Sequence, residues 1–366
     1  MDFTFTAEQE MLRDSLGKLL AQGYTFEQRK AIVRGDHAHS ALIWNQLGEM
    51  GLLALPFAER NGGLGGSASD LVAISELLGR HLVVEPYAGS IVLGGGALAL
   101  GGDAVRPLLD AVIAGTALVA LAHEERHGIG TPSLLQTTLH DTAGTLQLTG
   151  EKRLVLAGAE AKALIVSARA GDRLALVKVD PTASGVTIAD YTMIDGRRAA
   201  TVRFADVAVA PADVLCADAA EPLQQIIATA TLALCAEAVG AMAALLEMTS
   251  AYAGTRKQFG TPIGAFQVIA HRLADMKIAY TKAHALLLYT TALAETGAAA
   301  ARDIALLKAQ AGRLGRSIGE SAVQIHGGIG MTDELPVGHY LKRILAVETM
   351  LGSTEYHLRL IGSSGQ

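Results

Sequence analysis

Three stretches of this 366-residue chain carry side chains whose types and spacing could do chemistry. The first, Thr255-Arg256-Lys257-Gln258-Phe259-Gly260-Thr261-Pro262-Ile263-Gly264, is a polar break between two long helical patterns. It ends one helix and starts another, which leaves free backbone N–H groups beside two cations. Arg256 can fork onto a phosphate in a bidentate way that a lysine cannot reproduce. The alternative is an interhelical turn with solvated charges. The second stretch, Gln324-Ile325-His326-Gly327-Gly328-Ile329-Gly330-Met331-Thr332, closes another helical pattern. Its glycines allow a ligand close to the backbone, or they are an ordinary glycine helix stop. It is not a Rossmann fingerprint, because no strand precedes it and position 333 is Asp. The third feature is Glu237. Leu223, Ile227, Ala230, Leu234, Glu237 and Ala241 recur at steps of three and four, so Glu237 lies on an apolar helix face. A buried carboxylate there would have a raised pKa and could act as a base. The alternative is a structural Glu paired with a neighbouring helix or subunit.

The elements that must position these residues change character twice along the chain. Thr6 and Gln9 form a capping-box start, and Met11, Leu12, Leu16, Leu19 and Leu20 follow at helical spacing. Further helical patterns cover 25–34, 40–51, 67–80 and 103–114, separated by breakers at Pro56, Asn61–Gly66 and Gly94–Gly96. From Thr116 the chain turns to short β-rich runs such as ALIVSAR, RLALVKV and TVRFADVAV, with no helix long enough for a βαβ crossover. From Glu221 the helical period returns over 221–253, 264–297, 302–325 and 336–350. The expected fold class is α+β: an N-terminal helical domain over 1–115, an antiparallel β-barrel-like domain over 116–218, and a C-terminal four-helix bundle over 219–366.

Composition narrows the function. Half the residues are apolar and 18% are charged, so much of the surface should be buried, some of it between subunits. A net charge of −6 argues against nucleic acid as a partner. Cys216 and Cys235 are the two cysteines, which suggests neither a disulfide framework nor a metal site. The N-terminus has no basic stretch followed by an apolar run, and no uninterrupted apolar run suits a membrane span, so a cytoplasmic protein is expected.

Taken together, YAGTRKQFGTPIGAFQVIAHRLADM and QIHGGIGMT resemble the acyl-CoA dehydrogenase family. FTAEQEMLRD, GLLALPFAERNGGLGG and TVRFADVAVAPADVL fall where that family has equivalents, and the α–β–α order matches. Through LPFAE, GRHLVVEPY, LCAEAVGAM and VGHYLKR the chain is most similar to the small subunits of heteromeric members such as pimeloyl-CoA dehydrogenase. The resemblance implies FAD-dependent 2,3-dehydrogenation of an acyl-CoA, in which a carboxylate removes the C2 proton and a hydride leaves C3. It places Arg256 on the FAD pyrophosphate of a neighbouring subunit, Phe259 near the adenine, and Gln267 on the cofactor side. Gln324 and the Gly327-Gly328 turn match a second FAD contact across the same interface.

The departures from the family pattern are as informative. One usual base position corresponds to Gly352, and the other to Ala230, with Thr231 where an arginine often follows. The family's Trp-Ile-Thr strand beside the flavin corresponds to Leu154-Val155-Leu156, and its Thr-Glu-Pro loop to His123-Glu124-Glu125. Leu154 can still pack on the ring, but hydroxyl donors to the flavin are lost. Three readings follow. The chain is a small subunit whose larger partner, in a heterotetramer, supplies the base for a dicarboxylyl, alicyclic or steroid-derived acyl-CoA. Alternatively it is a self-sufficient homo-oligomer with Glu237 as base, or a non-catalytic structural subunit. The resemblance implies an electron-transfer flavoprotein as acceptor.

Overall fold

The computed structural model describes residues 6–37, 39–126, 135–142 and 144–363; the opening residues before Thr6 lie outside this range. The expected order of helices, then strands, then helices holds. The first helices are α1 (Ala7–Gly23), α2 (Phe26–Arg34), α3 (Ala41–Glu49) and α4 (Ala68–Arg80). A π-helix over Tyr87–Gly95 leads into α5 (Gly96–Leu98), a 3-10 segment and α6 (Arg106–Ile113). Among the described residues eight strands follow: β1 (Val119–Ala122), β2 (Thr138–Thr142), β3 (Thr145–Leu156), β4 (Ala163–Ala170), β5 (Arg173–Val179), β6 (Val186–Thr192), β7 (Arg198–Val209) and β8 (Val214–Cys216). The remainder is α7 (Ala220–Thr255), a small hairpin of β9 (Lys257–Gln258) and β10 (Thr261–Pro262), α8 (Gln267–Glu295), α9 (Ala301–His326), α10 (Val337–Thr349) and α11 (Thr354–Ser363). The residues group into two compact units that do not follow chain order.

One unit comprises residues 1–31, 68–83 and 231–366. Its entry helix is capped as the sequence predicts: the Gln9 N–H donates to Thr6 Oγ1 at 3.2 Å and the Thr6 N–H to Gln9 Oε1 at 3.0 Å. Helices α4 and α7 touch backbone to backbone. A Cβ at Gly79 would lie 1.9 Å from the Glu237 carbonyl oxygen, and one at Gly240 would lie 1.9 Å from the Glu76 carbonyl oxygen. No residue but glycine permits that approach. Helix α9 buries Ile304, Leu307, Ala311, Ile318, Ala322 and Ile325 at helical spacing against its neighbours.

The other unit comprises residues 32–67 and 84–230. Its sheet runs β6-β7-β3-β2-β4-β5-β8, with β1 beside β4. It is antiparallel except for β1 alongside β4 and a single β2–β4 pairing of Thr138 with Arg169. The parallel pair is reached because β2 and β3 intervene and give the chain length to cross over. Alternate residues such as Leu148, Leu164, Val166, Val177 and Val202 form its core.

The structure differs from the sequence expectation at Gly94–Gly96. These residues do not break the helical run; they end the π-helix and begin α5. Their role is close approach: a Cβ at Gly94 would lie 2.5 Å from the Val119 carbonyl oxygen, and one at Gly95 would lie 2.5 Å from Phe57 Cζ. Two helical stretches are also long and apolar enough to cross a membrane, Tyr87–Ile113 and Ala220–Thr255, which a count of uninterrupted apolar residues had not found. Both are mostly buried within the protein, as core helices are.

Candidate functional site

Helix α7 ends at Thr255, and the chain reverses through the β9–β10 hairpin, which pairs Gln258 with Thr261 and Lys257 with Pro262. Phe259 and Gly260 form its two-residue loop, both with positive φ (52° and 80°). Such a loop matches the twist of the flanking strands. Glycine accepts it freely, whereas Phe259 holds a left-handed conformation that costs about 1–2 kcal/mol. Its ring is 92% exposed, with an edge-to-face contact to Phe266 at 6.2 Å. Phe266 is the residue before α8, and no side chain caps that helix. Arg256 and Gln267 are exposed, and among the described residues Arg256 makes no ion pair.

Helix α9 stops at His326 because Gly327 turns to φ 69° and ψ −148°. Gly327 and Gly328 have open space where side chains would stand, and Gln324 beside them is exposed. The two turns are tied together. His326 stacks on Tyr252, one helical turn before Arg256, with ring centroids 4.3 Å apart and 23° between the planes. The His326 Nδ1–H donates to the Ala322 carbonyl at 2.8 Å, which fixes the ring's orientation. Arg256, Phe259, Gln267, Gln324, Gly327 and Gly328 therefore belong to one end of one unit. Tyr252 and His326 were overlooked by sequence reasoning. Their signal was present: each lies within a segment singled out for its resemblance, in the last turn of its helix.

Glu237 is 4% exposed. Its Oε2 lies 3.4 Å from Arg343 Nη1, and Arg343 Nη2 donates to the Val83 carbonyl at 2.8 Å. Arg343 is itself fully buried on α10. The carboxylate thus has the surroundings of a structural ion pair, the alternative left open by its sequence pattern. Arg343 was missed, although a basic residue on the apolar face of Tyr340, Ile344 and Val347 was a legible sign.

Neither usual base position carries an acid, and at Gly352 there is no room for one. Gly352 has φ 96°, and a Cβ there would lie 2.5 Å from Tyr356 Cδ1. Its carbonyl accepts a 2.7 Å hydrogen bond from the buried Lys308 ammonium, which also donates to the Glu348 carbonyl at 3.0 Å. In the sheet-bearing unit, Ala230 is fully buried. Two other acids are engaged in ion pairs, Glu348 with Arg316 and Glu125 with Lys152.

Also in the sheet-bearing unit, Leu154 is half-buried with φ 51°. His123 is buried, with Nδ1 2.8 Å from Ser167 Oγ, so its ring serves the interior of the sheet. Burial, aided by the nearby Lys152 charge, pushes the His123 pKa down to about 3. Among the described residues no cluster of three or more His, Cys, Asp or Glu could hold a metal ion.

Comparison with known proteins covers nearly the whole chain. Models of the acyl-CoA dehydrogenase N-terminal and C-terminal domains match residues 6–105 and 223–365. The acyl-CoA dehydrogenase FadE28 of Mycobacterium tuberculosis is 30% identical over 373 residues, spanning 99% of this chain and 98% of that protein. Among solved structures, one in the ChsE4-ChsE5 complex from Mycobacterium tuberculosis has a TM-score of 0.91 at 26% identity, covering 100% of this chain and 98% of that one. A variant of the Tcur3481-Tcur3483 steroid ACAD has a TM-score of 0.86 at 26% identity, covering 97% of each chain.

Proposed function

This chain belongs to the acyl-CoA dehydrogenase family, and on that premise we propose that it is the subunit of a heteromeric, FAD-dependent enzyme whose partner chain carries the base. The observation that carries this reading is Gly352: its positive φ and the neighbouring Tyr356 leave no place for a carboxylate where the family pattern has one. Ala230 leaves the second position equally without an acid. Glu237, tied to Arg343, is assigned to structure and not to proton abstraction.

The cofactor fits the residues present at its diphosphate end. An unpaired guanidinium, an exposed amide and a glycine turn bordered by open space suit a doubly charged, hydrogen-bond-accepting group. When bound, FAD supplies the two-electron acceptor for a hydride leaving the acyl chain. In this reading Arg256 binds phosphate oxygens, the Gly327-Gly328 backbone allows their close approach, and Phe259 covers the adenine side. The Tyr252–His326 stack holds the two turns at a fixed spacing, which reduces the ordering cost of binding. Leu154 would pack against the flavin ring held by its own sheet-bearing unit, Arg256 serving the cofactor of a neighbouring subunit, whereas His123 would act behind Leu154 and not as a direct contact.

The similarity to chains solved as the ChsE4-ChsE5 complex and to a steroid ACAD supports a two-chain assembly and a bulky alicyclic acyl-CoA as substrate. Expression of the chain alone and with its partner tests the reading. The lone chain should show no dehydrogenase turnover and the complex should show it; equal turnover by both refutes the division of labour.

A further inference from the structure

One buried charge in the sheet-bearing unit is Lys152, whose side chain is 0% exposed. A lysine is almost never fully buried unless it is paired, because removing its ammonium from water costs several kcal/mol. Its Nζ donates to Glu125 Oε1 at 2.7 Å, to Ser167 Oγ at 3.2 Å and to the His123 carbonyl at 3.3 Å. The Glu125 carboxylate in turn accepts the Gln136 N–H at 2.7 Å and the Thr137 N–H at 3.0 Å. Lys152 thus draws the end of β1, the approach to β2 and the middle of β4 onto one point of β3. Burial pushes its pKa down to about 8, which marks how unfavourable the charge is in that place.

What lies immediately beyond that point is a break in the ladder. On β7, Val202 faces Lys152 and Ala200 faces Val155, so Arg153 and Leu154 stand opposite Thr201 alone. This is a β-bulge, and Leu154 takes the positive φ of 51° there. A non-glycine residue in that conformation persists only where the surroundings over-determine it. The Arg153 N–H donates to the Glu124 carbonyl at 2.8 Å, next to the Glu125 that holds Lys152.

We propose that Lys152 is a positioning residue: anchored by Glu125, Ser167 and the His123 carbonyl, it fixes the β-bulge that orients Leu154 toward the flavin ring. The proposal rests on the FAD reading above for what Leu154 faces, and on the sheet geometry alone for how Leu154 is held. It assigns a purpose to a charge buried at a cost.

The test replaces both partners at once, Lys152→Met with Glu125→Gln, because removing one charge would strand the other, whereas removing both is close to neutral for stability. The partner-bound complex is compared with wild type by amide hydrogen exchange, flavin absorbance and FAD titration. The expected result is exchange at residues 153–154 faster by about tenfold, with β4 and β5 unchanged. FAD affinity falls by about tenfold and the flavin bands move toward those of free FAD. Unchanged exchange at 153–154 overturns the proposal, as does faster exchange with an unchanged flavin affinity and spectrum. If wild type binds FAD and the variant matches it, this proposal alone fails; if wild type takes up no FAD, the proposed function fails with it. Should the double variant not fold, Ser167→Ala, which keeps the ion pair, decides by the same readouts.

Discussion

Tyr252 stacks on His326 with ring centroids 4.3 Å apart, and this one contact joins the ends of α7 and α9, which are far apart in sequence. It converts two helix stops into one surface with a guanidinium on one side and a glycine turn on the other. Replacing Tyr252 with Leu removes a stacking interaction of about 0.5–1.5 kcal/mol. FAD affinity is expected to fall by roughly three- to tenfold even though Arg256 is untouched. Fluorescence titration of the assembled protein checks this, and an unchanged affinity would separate the stack from the cofactor.

Arg256 itself should matter more. It is exposed and unpaired among the described residues, so Arg256→Ala removes charged hydrogen bonds to a ligand without leaving a buried partner unsatisfied. The loss is expected at about 1.5–3 kcal/mol of FAD binding, with the melting temperature of the cofactor-free protein unaltered. Arg256→Lys should recover only part of it, because an ammonium cannot form the bidentate fork.

The Glu237–Arg343 pair predicts an effect on stability and none on chemistry. Arg343→Met takes the arginine contact from a buried carboxylate and should lower stability by about 3–5 kcal/mol in denaturant titration. Glu237→Gln should leave the complex's turnover within about twofold of wild type, since a base lost from the reacting carbon typically costs a hundredfold or more. Loss of turnover in a folded Glu237→Gln complex would restore this residue as the base.

Gly352→Glu should not create an active lone chain. The residue sits at φ 96°, where a side chain is strained, and its Cβ would meet Tyr356 at 2.5 Å. A lowered melting temperature with no turnover by the chain alone is expected. Turnover would mean that the turn rearranges readily around an acid.

Acid should destabilise the fold through its buried imidazoles. Burial holds His123 down to about 3 and His357 down to about 4, against an ordinary value of 6.5. The unfolded chain therefore takes up protons below about pH 6.5 that the folded chain refuses, and stability drops as pH falls toward those lowered values. For His123 alone the slope approaches about 1.4 kcal/mol per pH unit within that window. His123→Asn, measured by denaturant unfolding at pH 7 and pH 5, should reduce the difference between the two.

Several features of this protein were legible in its sequence because they are local. The α–β–α order follows from a period of three to four residues giving way to short β-rich runs and then returning. The capping box of Thr6 and Gln9 spans three residues and forms as written. The glycine and arginine turns were recognisable because helix stops are made by neighbours in the chain. The absence of an acid at Ala230 and Gly352 needed no coordinates at all.

Other features belong to tertiary structure alone. That Glu237 meets Arg343, 106 residues later, depends on the glycine-mediated contact of α4 with α7 and on where α10 then lies. The three glycines at 94–96 read as a break because their sequence cannot say that a strand carbonyl and the Phe57 ring come within 2.5 Å of where side chains would stand. Nothing local in the sequence marks Lys152, which is buried where the fold pairs it with Glu125. The physical reason is common to all three. Periodicity and capping are set by residues within a turn of one another, whereas desolvation and charge pairing depend on which distant segments the fold brings to the same point.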